Sequence, residues 1–209
     1  MLSLEGGGWH ILADGLEKGG LMQHVHPALS RDISYEIDAQ NIITGVDGAW
    51  DEFALENDGP GAQESLVVGE PLWSFVSGVD TISHLNAIFF WCRRNGTLFQ
   101  SAFRCDALTM RRLIRMTVTP LGDGALRIEN HLVEAMKRNA AEWHAHGPAS
   151  GLSSRCSVCC RVQEGAAWVD AGMPPSPLGG VMQRYTICPD CKRAAADVLS
   201  EAARISRDG

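Results

Sequence analysis

The chain has no long apolar run and no export signal. Its longest unbroken apolar stretches, such as Ala87 to Cys92, are far shorter than the roughly 20 residues that a membrane-spanning helix needs. The segment from Met1 to Gly20 mixes glycine, acidic and single apolar residues, without the basic start and apolar core of a signal peptide. These absences exclude a transmembrane helix and predict a cytoplasmic protein.

Positive charge is also scarce. The 209 residues carry 18 Lys and Arg against 25 Asp and Glu, which gives a net charge of −7. Residues 1–150 hold 11 basic and 19 acidic side chains, whereas residues 151–209 are nearly balanced. A basic footprint is the usual sign of nucleic-acid binding, and only local clusters such as Arg111, Arg112 and Arg115 occur here. Nucleic-acid binding is therefore disfavoured.

Known catalytic motifs are absent too. The chain has no Gly-x-Ser-x-Gly elbow, no phosphate-binding Gly-x-x-x-x-Gly-Lys loop and no Gly-x-Gly-x-x-Gly after a predicted strand. A complete histidine kinase needs a phosphoacceptor helix pair and an ATP-binding domain, for which the 76 residues after Val133 leave no room. We therefore expect a protein that is not an enzyme.

What the chain does have is cysteine, seven residues in all. Because cytosolic thiols are kept reduced, clustered cysteines in a chain without an export signal favour a metal site over disulfides. Two C-x-x-C pairs occur, Cys156 with Cys159 and Cys188 with Cys191, and four thiolates complete a closed tetrahedral zinc site. Such a zinc ion is structural, since its binding energy serves the folding of a piece too small for its own core.

The other cysteines leave alternatives open. Cys160 lies beside Cys159, so Cys156 and Cys160 are an alternative pair on a helical turn, although we favour Cys159. Cys160 itself is either an exposed thiol that serves as a redox handle or a small buried packing residue. Cys92 and Cys105 fall in a helical and a strand pattern, and we predict that both lie in the core.

The apolar periodicity predicts an α+β fold with one antiparallel sheet and helices packed on one side. A hairpin, a short helix capped by Asp47 and a turn of helix at 71–76 come first. A long helix from Asp80 or Thr81 to Asn95 follows, and three more strands complete the sheet. The five predicted strands are 33–37, 42–46, 98–105, 113–119 and 125–132.

Composition and pattern divide the chain into four segments. Residues 132–144 are predicted to form a connecting helix whose Val133, Met136 and Ala140 share a face that packs on the sheet or on a second subunit. Residues 192–205 are predicted to form a helix on the metal module or on a partner. The segments are a loosely structured lead-in (1–30), the α+β domain (31–133), a connecting helix and Gly/Ala/Ser/Pro-rich linker (134–154), and the cysteine-rich module (155–209).

The segment from about Ile33 to Val133 resembles a PAS domain. The likeness lies in the hairpin, the helix start at 47–50, the turn Val68-Gly69-Glu70-Pro71-Leu72-Trp73, and Phe103-Arg104-Cys105-Asp106, and it covers half of the chain. PAS domains are sensor modules that enclose a ligand or cofactor between sheet and helices and pass its state to a neighbour. The resemblance implies a small ligand in a pocket, a homodimer and a signalling partner. It does not imply a flavin–thiol photocycle, because Leu72 stands where the reactive cysteine would lie.

Heme b is one candidate for the pocket that this resemblance implies. In heme-binding PAS domains a histidine on the long helix ligates the iron, and an arginine twenty residues later reaches towards the bound gas, as His84 and Arg104 are spaced here. Ile88 and Met116 would then line the porphyrin site. The alternatives are a His84 that is exposed or hydrogen-bonded and an Arg104 that pairs with Asp106.

The remaining histidines offer less. His131 is a second candidate ligand, although an exposed or capping role is commoner. His24 and His26 share one face of a strand but have no third ligand nearby. His144 and His146 fall in the predicted linker, where we expect them to be solvated.

Residues 156–191 resemble a cysteine-rich tail that follows PAS or receiver domains in bacterial two-component signalling proteins. The likeness lies in Cys156-Ser157-Val158-Cys159, Arg161-Val162, Trp168 and Ile187-Cys188-Pro189-Asp190-Cys191. The chain departs from that tail at Cys160, where lysine is usual, and at Tyr185-Thr186, where a His-Gly pair is usual. Any role of that histidine therefore does not transfer.

Two functions from different classes follow. The first is a sensor whose pocket binds a small ligand or heme, for gas or redox sensing, and which signals through the zinc module. The second is a ligand-free scaffold that docks a kinase or a transcription regulator. An apolar pocket with a histidine on its floor favours the first, and a small filled core favours the second. A metal-dependent or redox enzyme would need an open metal position or a reactive Cys160, and the four-cysteine count argues against it.

Overall fold

The computed structural model describes residues 32–47, 49–56, 60–106, 110–137, 151–170 and 181–208. We call residues 32–137 the sheet domain and residues 151–208 the cysteine module. The predicted lead-in and the histidines His24, His26, His144 and His146 lie outside the described residues. Among the residues that are described, none of the helices has the length and apolar character that spanning a membrane requires.

The sheet domain is built on five antiparallel strands in the order β2-β1-β5-β4-β3. Alternation fixes which face is buried: in β1, Ile33, Tyr35 and Ile37 are buried, while the two residues between them are only half-buried. The predicted α+β class and five-stranded antiparallel sheet are confirmed. The strands are β1 (Ile33–Ile37), β2 (Ile43–Val46), β3 (Phe99–Arg104), β4 (Met110–Pro120) and β5 (Leu126–Lys137).

Four α-helices accompany the strands in the described residues. The first begins where the sequence predicts, because the Asp47 carboxylate accepts hydrogen bonds from the Ala49 and Ser34 amides. The third ends at Gly96, which adopts the left-handed conformation with φ 61°. The helices are α1 (Trp50–Glu56), α2 (Glu64–Val67), α3 (Val79–Asn95) and α4 (Pro189–Asp208), with 3-10 turns at 60–62, 72–75 and 122–124.

The core of the sheet domain lies where α1 and α3 cover the sheet. Helix α3 buries Ile88, Phe89 and Cys92 on one face. Tyr35 of β1 packs edge-to-face on Trp50 of α1, with ring centroids 5.9 Å apart. Each such buried apolar side chain contributes about 1.5–3 kcal/mol. The core therefore fixes α1 and α3 against the sheet, and Cys92 lies within it as the sequence predicts.

The cysteine module has a sheet of its own, in the order β8-β7-β6-β9. Strands β6 and β9 are parallel, so their carboxyl ends meet at one edge of the sheet. The predicted C-terminal helix is present as α4 and begins earlier than predicted, at Pro189. The strands are β6 (Gly151–Cys156), β7 (Val162–Glu164), β8 (Ala167–Val169) and β9 (Val181–Thr186).

The prediction of a connecting helix from residue 132 is wrong at its start. Strand β5 continues to Lys137, which lies opposite Met110 of β4. Val133 and Met136, expected on the packing face of a helix, are each 44% exposed on this strand extension. Pairing with β4, itself longer than predicted, gives the backbone of 133–137 cross-strand hydrogen bonds, and this outweighs the local helical spacing. Residues 138–150 lie outside the described part of the chain.

The start of α3 contacts the cysteine module. Asp80 and Thr81, which the sequence suggests as caps, do not cap the helix, whose N-cap is Gly78. The Thr81 and Ser157 hydroxyl oxygens lie 2.6 Å apart and both residues are buried. The Thr186 hydroxyl donates to the Asp80 carboxylate at 2.5 Å. These polar contacts join the first turn of α3 to the cysteine module.

Replacing Gly78 with alanine should weaken this contact. A Cβ at Gly78, where φ is 88°, would lie 2.7 Å from the backbone oxygen of Tyr185 in β9. Backbone strain and the clash together predict a loss of about 3 kcal/mol in the free energy of unfolding, measured by urea denaturation. Gly96→Ala is the matched control, because its φ is 61° but nothing lies within 4 Å of its Cβ. In Gly96→Ala only backbone strain should lower the free energy of unfolding, by about 1–2 kcal/mol. An equal or smaller decrease in Gly78→Ala would contradict the close approach of Gly78 to Tyr185.

Candidate metal centre and adjoining cavity

Parallel pairing of β6 and β9 brings the two C-x-x-C pairs together. Cys156 is the last residue of β6 and lies opposite Thr186, the last residue of β9. The chain then turns so that Cys159 follows β6, and Cys188 and Cys191 follow β9. Cys191 lies in the first turn of α4. One sheet edge therefore positions all four sulfur atoms.

The four sulfurs have the spacing of a metal site. They all lie within 4.8 Å of one another, and those of Cys159 and Cys188 are 3.7 Å apart. A tetrahedral site with metal–sulfur bonds of about 2.3 Å has sulfur–sulfur edges of about 3.8 Å. Cys156 and Cys188 are fully buried, and the other two cysteines are half-buried. The predicted ligands thus form one cluster that can hold a metal such as zinc.

Neighbouring groups donate hydrogen bonds to these sulfurs. The Arg161 Nε donates to the Cys159 sulfur at 3.3 Å, and the same guanidinium pairs with Asp190 at 3.1 Å. The Cys188 backbone amide donates to the Cys156 sulfur, also at 3.3 Å. Donors around a metal site orient its ligands, and with a metal bound the positive charge of Arg161 would offset part of the negative charge of the four thiolates. Arg161 is thus a positioning residue for the cluster.

Cys160 is not part of the cluster. Its side chain is fully buried and donates to the backbone oxygen of Arg104 at 3.3 Å. Its φ of 59° is unusual for a residue with a Cβ, and its amide donates to the Cys156 carbonyl as the turn closes. Of the two readings of Cys160 from the sequence, the buried packing residue is the one observed. Cys105 is likewise buried, at 6% exposure.

A cavity of about 140 Å³ lies between the sheet domain and the cysteine module. Most of its wall is apolar and aromatic, with Trp50 from α1 and Phe103 from β3. The cysteine module contributes Ser157, Val158 and Ile187. The first two are the residues between the cysteines of the first pair, and Ile187 directly precedes the second pair. The cysteine cluster and the cavity therefore share their loops.

Polar side chains interrupt the apolar face of the sheet that forms the cavity floor. Ser101 of β3, Met116 of β4 and Asn130 of β5 lie directly opposite one another and line the cavity. Asn130 follows Leu126 and Ile128, both fully buried, at the spacing of one strand face. The sequence analysis missed Ser101 and Asn130. Their signal is a polar residue at a core position of an alternating strand, which marks functional or strained sites.

His84 lines the cavity from α3 and is half-buried. Burial, together with the positive charge of nearby Lys192, holds the pKa of His84 below its usual value of about 6.5. The imidazole is therefore neutral at pH 7. In the unfolded chain His84 is protonated at a higher pH, near 6.5. As the pH falls from about 6.5 through the lower pKa of the folded state, protonation favours the unfolded chain, and the free energy of unfolding decreases.

Two-dimensional NMR of the His84 ring can check this directly. We expect a titration midpoint below 6.5, and Lys192→Gln should move the midpoint upward by removing a positive charge. Arg204→Gln, a change of another exposed cation on α4, is the control and should leave the midpoint in place. A midpoint at or above 6.5 in the unmodified protein would contradict the buried position of His84.

The cavity does not fit heme. Its volume of about 140 Å³ is close to that of a cavity of about 150 Å³ that binds benzene, and below the roughly 300–1,000 Å³ of pockets for larger ligands. Of the four residues predicted for heme, His84 and Met116 line the cavity. Ile88 is packed in the core, and the Arg104 guanidinium is bound to carboxylates outside the cavity. The structure thus brings together only half of the predicted heme residues.

Arg104 instead belongs to a cluster of charges that joins the sheet domain to the cysteine module. Its guanidinium pairs with Asp106, the alternative that the sequence left open, and with Asp170 at 2.9 Å. Asp170 also pairs with Arg111. Arg155 of β6, only 1% exposed, has its guanidinium 3.9 Å from the fully buried Asp106 carboxylate. Arg155 was missed, because nothing in its sequence context marks it as buried.

His131, the other candidate ligand, lies away from the cavity. It is 55% exposed on β5 and pairs with Asp32. Its neighbour Asn130 points to the opposite face of the sheet and lines the cavity. His131 is therefore a surface residue, the commoner of the two roles considered for it.

Comparison with known proteins finds a likeness to solved structures. No protein-family model matches the chain, and no curated protein matches it. The chain is similar to a solved structure described as a domain of an HTR-like protein from Haloarcula marismortui, at 16% sequence identity and a TM-score of 0.38. The alignment covers 49% of this chain and 98% of that one. A likeness at this level supports no conclusion about function.

Proposed function

We propose that the protein is a sensor in signal transduction. In this proposal the sheet domain is a PAS-like domain that binds a small ligand in the cavity, and the four cysteines of the module hold one structural zinc ion. The module passes the bound state to a signalling protein partner, with a homodimer as the working unit. The role is one of binding, not catalysis.

The observation that carries this proposal is that the loops holding the four cysteines also form part of the cavity wall. A ligand in the cavity would contact Ser157, Val158 and Ile187, which are adjacent in sequence to the four metal ligands. A metal-bound loop has few alternative conformations, so a small displacement there moves the attached strand and helix as a body. Helix α4 begins at Pro189, directly after Cys188, and gives such a displacement a route to the surface.

The zinc-loaded chain and a panel of small, chemically diverse compounds test the proposal. Compounds that raise the Tm are followed by amide hydrogen exchange at 156–160 and 187–191. We expect cavity ligands to slow exchange in both segments, because they fill the space against which these loops pack. Ala54→Leu is the control: Ala54 lines the cavity and lies in α1, away from the cysteines, so the larger side chain should remove the effect.

Two outcomes would overturn the proposal. Ligands that bind but leave exchange in both cysteine loops unchanged would show that the module does not report on the cavity. If no compound raises the Tm, the ligand-free scaffold becomes the better description. Size-exclusion chromatography with light scattering tests the homodimer separately, and a monomer at all concentrations would contradict that part.

A further inference from the structure

The cavity combines an apolar wall with a small set of polar side chains that have no hydrogen-bond partner among the described residues. These side chains are Tyr35, His84, Ser101 and Asn130. Tyr35 is only 8% exposed, and burial raises the pKa of its hydroxyl, which therefore stays protonated and able to donate. His84, Ser101 and Asn130 are half-buried along the cavity, so their polar atoms are available to a molecule that enters it. A set of such groups along one cavity is complementary to a polar ligand.

Charge restricts the ligand further. Among the described residues that line the cavity there is no Asp, Glu, Lys or Arg, and His84 is neutral at pH 7. An ionised ligand would lose its hydration without gaining a counter-charge, which is far more costly than the burial of a neutral polar group. The cavity is therefore suited to an uncharged molecule.

The size of the cavity and the composition of its wall restrict the ligand further. The volume of about 140 Å³ is close to that of a cavity of about 150 Å³ that accepts benzene. Trp50, Phe53 and Phe103 supply aromatic faces and edges around it. Val158 of the cysteine module contributes an aliphatic surface. A single planar ring fills this volume, whereas a second fused ring would extend beyond the apolar wall.

We propose that the cavity binds an uncharged, single-ring aromatic compound that carries one amide-like group, with that group at Asn130 and Ser101 and the ring against the aromatic wall. This inference rests on the proposed ligand-binding function and names the class of ligand. The Asn130 amide both donates and accepts, so it pairs with a carboxamide through two hydrogen bonds. The ring contacts Val158 and so touches the cysteine module.

Benzamide and benzoate form a matched pair of probes, because they have nearly the same shape and differ in charge. Isothermal titration calorimetry with the zinc-loaded full chain should show benzamide binding with a Kd at least about tenfold lower than that of benzoate. A change in tryptophan fluorescence on benzamide binding that is lost in Trp50→Phe gives a second readout, since Trp50 lines the cavity. 2-Naphthamide, which carries a second ring, should bind at least about tenfold more weakly than benzamide.

Asn130→Leu separates the polar contact from the folding of the sheet. Leucine suits the apolar face around Ile128, so the free energy of unfolding should stay the same or rise, while benzamide affinity falls about tenfold or more. Glu129→Leu is the control, because it places the same side chain one residue earlier on the opposite, exposed face. Ser101→Ala should also weaken benzamide binding and serves if Asn130→Leu does not fold.

Three results would overturn the inference: benzoate binding as tightly as benzamide, 2-naphthamide binding as tightly, or full benzamide affinity in both Asn130→Leu and Ser101→Ala. If other compounds in the panel bind the cavity and benzamide does not, the ligand class is wrong and the sensor function stands. If nothing binds the cavity, the proposed function fails together with this inference.

Discussion

We expect Cys159→Ser or Cys188→Ser to abolish the proposed binding of one zinc ion per chain and to unfold the cysteine module. The sulfurs of these two residues lie 3.7 Å apart and form one edge of the tetrahedral cluster. In small domains of this kind, the binding of structural zinc contributes about 10–16 kcal/mol, most of which is folding free energy. The sheet of the module has two strands of only three residues, β7 and β8, and offers little other stabilisation. Loss of one ligand therefore removes most of what holds the module together.

The zinc content per chain is measured by releasing the metal with a thiol-blocking reagent and detecting it with a colorimetric chelator. Limited proteolysis within residues 151–208 reports whether the module is folded. Cys160→Ser is the matched control, because Cys160 is adjacent to Cys159 in sequence and its sulfur contacts the Arg104 carbonyl instead of the cluster. It should retain one zinc ion per chain. If Cys160→Ser lost zinc and Cys159→Ser kept it, the ligand set would be wrong at this position.

Unfolding of the module should also open the cavity. Part of the cavity wall is formed by Ser157, Val158 and Ile187. These residues would move away from the cavity when the metal is removed. Because Trp168 lies in β8 of the module itself, the measurement uses the Trp168→Phe variant. When this variant is treated with a chelator, Trp50 would face water, and the tryptophan fluorescence should shift to longer wavelength. This secondary effect links the metal centre to the cavity and distinguishes a shared wall from two independent sites.

Asp106→Ala is the second change with a large expected effect, a loss of about 3–5 kcal/mol in the free energy of unfolding. The Asp106 carboxylate is fully buried, pairs with Arg104 and lies 3.9 Å from the guanidinium of Arg155. Its removal leaves two cations in an interior with one less counter-charge, and Arg155 is only 1% exposed. Both arginines are too buried to recover full hydration, so water does not replace the counter-charge that is lost.

Urea denaturation measures this loss, and Asp170→Ala is its control. Asp170 pairs with the same arginine at 2.9 Å, but its side chain is 42% exposed, so its removal should cost less than about 1 kcal/mol. Similar losses for both variants would contradict the argument from burial. A loss at Asp106 that appears only in the unfolding of the cysteine module would show that the charge cluster holds the module in place but does not stabilise the sheet domain.

The periodicity of the sequence was sufficient to predict most of the secondary structure of the sheet domain, whereas the four strands of the cysteine module were not predicted. Alternation in β1, the cap at Asp47 and the end of α3 at Gly96 are local signals, and each is present where it was predicted. The extension of β5 to Lys137 was not predictable in this way. Its partner is strand β4, residues 110–120, and the pairing that extends it is a long-range contact. Local spacing at Val133 and Met136 suits a helix equally well.

The candidate site also has a part that local sequence predicts and a part that it does not. The cluster of four cysteines was predictable, because C-x-x-C spacing is a local requirement of tetrahedral sulfur coordination. Arg104 was predicted for a heme pocket, but its side chain is held by Asp106 and Asp170, and the second of these lies 66 residues away along the chain. Spacing along a strand determines the face on which a residue lies, but not which partner reaches it.

The sequence by itself determined most elements of the sheet domain and the grouping of the four cysteines, since both depend on neighbours within a few residues. Only the tertiary structure decided that the loops of the metal centre form part of the cavity wall, that Arg155 is buried near Asp106, and that Ser101 and Asn130 meet on the cavity floor. These contacts arise when the cysteine module packs on the sheet domain and distant strands align. They depend on the summed packing of the chain, which no local pattern of residues records.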